Sequence, residues 1–424
     1  MPGDRQPAWL AEGFAHLWLP YAQMKTVAPP LAVARTEGCR IILADGRELI
    51  DGIASWWTAC HGYNHPHIRE AVQRQLEAMP HVMFAGLAHE EAARLAVRLA
   101  KLLPGDLDHV FFSESGSVAV EIALKMAVQY WLNRGRERTK FLAFKGAYHG
   151  DTLAAMAISD ADDGMHRRLK RYLPQHIIAD LPRDEESTRA LEMILDRHGK
   201  EIAAIIVEPL VQGAGGMLFH DADVLHRLSA AVRRHDTLLI ADEIFTGFGR
   251  TGAMFACAAA GLVPDIITLS KALTGGTLPL AATIARHHVF DAFRSDDPQA
   301  ALMHGPTYMA NALGCAAANA SLDLFEQEPR LQQVAAIEGA LCDGLSPYST
   351  LPHVNEVRVK GAIGVVELER IRDLEGLRRR FVEAGVWIRP FGNVVYLTPP
   401  FTISPEELVQ LTSAIRRVLS QGVA

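Results

Sequence analysis

Two short runs decide the fold: TLLIAD at residues 237–242 and DIITLSK at residues 265–271. Each is a compact apolar stretch that closes on a charged residue, the pattern of a strand buried on both faces. The connection between them contains GFGRTGAMFACAAAGLVP (residues 247–264), long enough for the crossover that parallel neighbours require. Asp242 and Lys271 then emerge side by side at the carboxyl ends of adjacent strands. That rim is where open α/β sheets bind ligands.

The same pattern extends in both directions. HVFFS (109–113), KFLAF (140–144) and AAIIVE (203–208) are further strand-like runs. Helical segments alternate with them, such as SVAVEIALKMAVQYW (117–131), which puts Ala119, Ile122, Ala123, Met126 and Tyr130 on one face. From about His61 to Phe325 this alternation predicts a mostly parallel sheet covered by helices. Upstream, RIILADGRELIDG (40–52) reads as a hairpin turning at Asp45-Gly46, preceded by an extended arm from about Trp9 to Val33. After about Glu328, RVKGAIGVVELE (358–369) and GNVVYLTPPF (392–401) are strand-like. SPEELVQLTSAIRRVL (404–419) opens on a capping box, Ser404 with Glu407, with Pro405 at the first helical position; Leu408, Leu411, Ile415 and Val418 form its stripe. The expected organisation is an α/β protein of two domains: a large domain over 61–327 and a smaller α+β domain over 328–424, joined by the arm and hairpin of 1–60. There is no internal repeat and no low-complexity segment.

Composition narrows the function. Of 424 residues, 49% are hydrophobic and 21% charged, as in a globular enzyme, and the formal net charge is −7 with no Lys/Arg block. Nucleic acid and anionic membranes are poor partners for such a surface. No apolar run approaches the ~20 residues of a membrane span. The five cysteines are scattered and never form C-x-x-C, and the N-terminus lacks a basic head followed by an apolar core. A cytoplasmic protein is expected. His61, His65 and His67 are interrupted by Gly62, Asn64 and Pro66, which favours a turn-rich loop over a metal cage; no metal is expected.

An amine and a carboxylate at one rim need a shared reason, and pyridoxal 5'-phosphate supplies it. The lysine condenses with the aldehyde, while the aspartate holds the pyridine nitrogen protonated, so the ring draws electrons from a substrate's α-carbon. Lys271 then acts as general base and general acid in turn. The phosphate needs a home, and Ser115-Gly116-Ser117, between a strand and a helix start, offers exposed N–H groups. Taken singly, each feature is ordinary: buried Asp–Lys pairs serve stability and Ser-Gly-Ser caps helices. Together they are specific. Lys145, the competing lysine, has no matching upstream carboxylate. A nicotinamide-dependent dehydrogenase would need G-x-G-x-x-G after an early strand; QGAGGM (212–217) has neither the spacing nor the place. A non-catalytic binding protein of this fold has no use for both Asp242 and Lys271.

SESGSVAVEIALKMA, KGAYHGDTLAAM, IIVEPLVQGAGGM, IADEIFTGFGRTG, TLSKALTGG and MHGPTYMANALGCAAANASL stand in this order along the chain. Together they resemble the class III (ω-type) aminotransferases of fold type I, over nearly the whole length. The resemblance implies Lys271 as the Schiff-base lysine, Asp242 as the ring-nitrogen partner, and Gly116 and Ser117 at the phosphate. It places Tyr148 against ring and substrate and Glu208 near the ring's oxygen side. Pro306 and Thr307 would reach the phosphate of a neighbouring subunit, which implies a homodimer with shared sites. Tyr21, Trp56, Tyr148, Lys271, Gly305 and Arg389 would line the substrate site. SWWTACHGYNHPHI, HVMFAGLAHE, MHGPTYM and VWIRPFGNVVYLTPPF are similar to the branch of the class that serves biotin synthesis. That likeness implies S-adenosylmethionine as donor and 8-amino-7-oxononanoate as acceptor in a ping-pong cycle. A member using ornithine, 4-aminobutyrate or lysine is the alternative. Arg389 suits an acceptor that ends in a carboxylate, and Trp56 and Trp57 suit its aliphatic chain. Phe245 stands where this family usually has a smaller residue, so crowding near the cofactor is expected.

Overall fold

The computed structural model describes residues 7–160 and 165–421. Its centre is a seven-stranded sheet: β1 (Leu107–Ser113), β2 (Lys140–Phe144), β3 (Ile177–Ala179), β4 (Ile202–Val207), β5 (Leu238–Asp242), β6 (Ile266–Leu269) and β7 (Ala281–Arg286). The spatial order is β1-β7-β6-β5-β4-β2-β3. β3, β2, β4, β5 and β6 pair in parallel, and only β7 runs against its neighbours β6 and β1. The mostly parallel sheet read from the sequence is therefore present, with one reversed strand.

Successive residues of these strands go to opposite faces, and both faces are covered. Leu239, Ala241, Ile267 and Leu269 join one core, whereas Leu238, Ile240 and Ile266 join the other. β4 is buried at all six positions, which is why its sequence is a continuous apolar run rather than an alternating one. The helix Gly116–Asn133 packs into the second core with Ala119, Ile122, Ala123, Met126 and Tyr130 buried. Val120, Leu124 and Trp131 are buried as well, so this helix is apolar over far more than one stripe.

The hairpin Arg40–Leu43/Glu48–Asp51 forms as read, with Gly46 at φ +88° in its turn. Val33–Glu37 lies on one side of it, and Val386–Trp387 adds in parallel to Glu48–Asp51 on the other, which joins the two ends of the chain in one sheet. Val354–Lys360, Ile363–Leu368 and Val394–Leu397 make a separate antiparallel sheet. RVKGAIGVVELE thus contains a reversal at Gly361 (φ +53°) and contributes to two strands. The helix Pro405–Ser420 has both halves of its capping box, and Leu408, Leu411, Ile415 and Val418 are buried. The arm differs from its reading: Ala8–Phe14 is helical, because Pro7 precedes a run of helix formers, Ala8, Leu10 and Ala11. Among the described residues no helix is long and apolar enough to cross a membrane.

Candidate functional site

β5 and β6 pair with Asp242 opposite Thr268, so the carboxylate sits at the end of its strand and Lys271 follows two residues past the end of β6. A cavity of about 160 Å3 opens at this rim, and Lys271, Asp242, Glu208, Tyr148, Gly116 and Ser117 all line it.

Each polar group there is held by its neighbours. Asp242 is buried; its Oδ2 accepts from His149 Nδ1 at 2.7 Å, and its Oδ1 accepts from the Ile244 N–H at 3.1 Å and the Thr268 hydroxyl at 3.2 Å. Glu208 is buried and accepts from the Gly213 N–H (2.9 Å) and the Tyr148 N–H (3.1 Å). Burial pushes its carboxyl up to about 7. Lys271 is pushed the other way, down to about 8, by burial that outweighs the opposing pull of Asp242 and Glu208. Its backbone is left-handed (φ +49°), and its Nζ lies 4.5 Å from the Trp57 ring.

The end of the cavity at the helix start is lined by small residues, Ser115, Gly116, Ser117 and Gly150. Ser115 Oγ accepts from Val118 N at 3.4 Å and caps the helix Gly116–Asn133, whose first-turn N–H groups have no intrahelical partner. A Cβ on Gly150 would lie 2.2 Å from Ser117 Oγ, so the loop after β2 can close on the helix start only without a side chain there. Ser117 Oγ accepts the Asp151 N–H at 3.1 Å and fastens that closure.

An outer layer continues from Tyr148. The Tyr21 hydroxyl lies 3.2 Å from the Tyr148 hydroxyl and donates to Asp151. The Tyr21 ring meets Trp56 edge-on at 6.1 Å, and the Arg389 guanidinium lies 5.8 Å from the Trp56 ring. Arg389 forms no close ion pair among the described residues; the carboxylate that acts on it, Glu375, is paired with Arg378. Of the two indoles, Trp57 is on the cavity wall and Trp56 is outside it. Phe245 also lines the cavity: its ring packs on Trp57 at 4.2 Å and occupies the space left by Gly213, where a Cβ would lie 2.7 Å from it.

Gly305, Pro306 and Thr307 are not brought to this cavity; Gly305 and Thr307 are exposed. His61, His65 and His67 diverge to separate partners: Ser321 and Arg330, Glu328, and Asp323 respectively. Among the described residues, the one group whose metal-type donor atoms converge is Asp108, His109 and His287, at the opposite end of β1 from Ser115.

Sequence reasoning missed His149, the nearest partner of Asp242. The signal was present: His149 follows Tyr148 in the loop after β2, and loops after parallel strands converge on the same rim. Its Nε2 is buried with no hydrogen-bond partner among the described residues. The donor set matches pyridoxal 5'-phosphate: a carboxylate fixed by three donors, an amine across the cavity, and a helix N-terminus free of side-chain bulk. That is the architecture of the fold type I pyridoxal-phosphate enzymes.

The class-III aminotransferase family model matches residues 21–419. An adenosylmethionine-8-amino-7-oxononanoate aminotransferase of Corynebacterium glutamicum is 44% identical over 412 residues, 94% of this chain and 96% of that one. The crystal structure of an enzyme of the same name from Methanocaldococcus jannaschii superposes with a TM-score of 0.92 at 33% identity, covering 98% of each chain. A pyridoxal-phosphate-bound amine transaminase from an uncultivated Pseudomonas species gives 0.89 at 33% identity, with 96% of this chain and 98% of that one covered. The chain belongs to the class III aminotransferases and is a pyridoxal-phosphate-dependent transaminase.

Proposed function

We propose that this enzyme transfers the amino group of S-adenosylmethionine to 8-amino-7-oxononanoate, giving 7,8-diaminononanoate in biotin synthesis. The observation that carries the acceptor is Arg389, a guanidinium that forms no close ion pair among the described residues, poised over Trp56 beside Tyr21. A keto acid with a long aliphatic chain offers the matching carboxylate for bidentate contact and methylenes for the indole. The names of the relatives support the same reaction.

Pyridoxal 5'-phosphate, when bound, supplies an aldehyde that takes up and gives back an amino group, and a cationic ring that stabilises negative charge at the α-carbon. Asp242 would hold the ring nitrogen's proton, with His149 and Thr268 fixing the carboxylate's orientation. Gly116 and Ser117 would hold the phosphate, and Glu208 and Tyr148 the ring's oxygen side and face. Lys271, with its amine near 8, is suited to take the α-proton at Nζ and to return it later, since such a group exchanges protons readily near neutral pH. Tyr21, Trp56, Gly305 and Arg389 would line the substrate site.

The protein is read as a cytoplasmic homodimer with the division 1–60, 61–327 and 328–424, in which Pro306 and Thr307 serve the partner's cofactor. Two loops support the dimer. Met83 and Leu87 on one, Met303 and Tyr308 on the other, are exposed, and the loops touch through His81 and Tyr308 (4.7 Å).

The test is a donor panel. Holoenzyme is mixed with S-adenosylmethionine, lysine, ornithine or 4-aminobutyrate, and bleaching of the bound cofactor is followed, then its recovery on adding 8-amino-7-oxononanoate. S-adenosylmethionine should bleach it and the keto acid restore it. Bleaching by 4-aminobutyrate and not by S-adenosylmethionine would overturn the reading.

A further inference from the structure

Ala54, Ser55, Trp56 and Trp57 have φ of +47°, +47°, +55° and +74°, four left-handed residues in succession and none of them glycine. Left-handed helical backbone costs an L-residue roughly 1–2 kcal/mol, so such a turn persists only where its surroundings impose it. It is closed by Trp57 N–H to Ile53 O at 2.9 Å and Thr58 N–H to Ala54 O at 2.8 Å.

Asp51 is what imposes it. The residue is wholly buried at the end of the strand Glu48–Asp51, whose backbone is pinned by Cys39 O and by pairing with Trp387. Its Oδ1 accepts the Ile53 N–H at 2.8 Å; its Oδ2 accepts the Ser55 N–H at 2.9 Å and the Tyr63 hydroxyl at 2.6 Å. No cation is paired with it among the described residues, so a buried carboxylate is spent on backbone geometry. Only a group with two acceptor oxygens can take all three donors; an amide would set its NH2 against an N–H.

The product of the turn is a split pair of indoles. Trp57 lies against the Lys271 amine and Phe245, while Trp56 lies between Tyr21 and Arg389. We propose that Asp51 is the positioning residue of the substrate site: by holding the left-handed turn Ala54–Trp57 it sets one indole at the reacting lysine and the other at the carboxylate-binding arginine. The proposal rests on the reading of Arg389 as the acceptor's anchor.

The experiment uses full-length, cofactor-loaded protein and four variants: Asp51→Asn, Ser55→Gly, the two combined, and Tyr63→Phe. Glycine adopts left-handed backbone freely and keeps the N–H, so it relieves the strain that Asp51 otherwise restrains. Asp51→Asn should raise KM for the keto acid about tenfold or more, with a smaller change in kcat, and weaken the near-UV circular dichroism of the indoles. Ser55→Gly should recover most of both losses in the Asp51→Asn background. Tyr63→Phe removes the hydroxyl that reaches both Asp51 and Ser55 Oγ but keeps both backbone N–H bonds to the carboxylate, and should shift KM the same way by less, which keeps the test open if Asp51→Asn fails to fold. KM within twofold of wild type in folded Asp51→Asn, or no recovery with Ser55→Gly, overturns the proposal. Any donor that bleaches the cofactor can drive the assay, so failure of S-adenosylmethionine as donor leaves this result readable.

Discussion

Lys271 is made useful by being placed badly for a charge. Burial lowers its amine to about 8, while the same group in the unfolded chain titrates near 10.5. Between those values the unfolded state binds a proton that the folded state does not, so stability rises with pH across that window. Below about 8 both states are protonated and the burial penalty is felt in full. Glu208 runs the opposite way: its folded carboxyl near 7 and its ordinary value of 4.5 mean that its contribution is present below 4.5 and is lost as pH rises through 7. Urea midpoints of cofactor-free protein and of Lys271→Met should therefore converge on going from pH 8 to 10.5, with wild type gaining on the order of 1–3 kcal/mol relative to the variant. Parallel curves would mean that the amine is not desolvated. At this scale the sequence identifies Asp242 and Lys271 because their strands are strong apolar runs. It leaves His149 unassigned because a histidine in a loop carries no periodic signal, and its role appears only when β2 and β5 are brought to one rim.

The elements differ in how far local sequence determines them. β4, β5 and β6 are legible as compact apolar runs rich in isoleucine and leucine, and the helix Pro405–Ser420 as a capping box with a stripe. β3 has three residues and β7 is AATIAR, too short or too alanine-rich to declare itself; both are strands because the sheet beside them supplies hydrogen-bond partners. The turn Ala54–Trp57 is the extreme case, since every propensity argues against left-handed backbone at Ser-Trp-Trp, and the carboxylate that braces it, Asp51, lies four residues before Ser55 and is itself fixed by strand pairing with the distant Trp387. The junction between the loop after β2 and the start of the helix Gly116–Asn133 is tertiary throughout. Gly150 has φ +128°, and an added Cβ would meet Ser117 at 2.2 Å from Oγ and 2.9 Å from Cα. Gly150→Ala must therefore push the loop off the helix start. It should cost about 1–3 kcal/mol of stability and weaken cofactor binding by about tenfold or more, read from thermal midpoints and a cofactor titration followed by absorbance. An unchanged cofactor affinity would separate the helix start from the phosphate.

At the scale of the whole molecule, the chain presents a cavity with an amine, a carboxylate and a helix start, while Gly305, Pro306 and Thr307 stand apart from it on an exposed loop. If Thr307 completes the partner's site, the two halves of that site can be broken in different subunits. Lys271→Ala removes the amine, and Thr307→Glu sets a negative charge where a phosphate should sit; each homodimer should be inactive. In a mixed dimer, the subunit that keeps Lys271 faces the intact Thr307 of its neighbour and regains a working site, whereas the other subunit carries both defects. Random pairing of equal amounts makes about half the dimers mixed, each with one site of two, so co-expressed chains should recover roughly a quarter of wild-type activity. A threonine that served its own subunit would give none, because no protomer in the mixture would carry both residues intact.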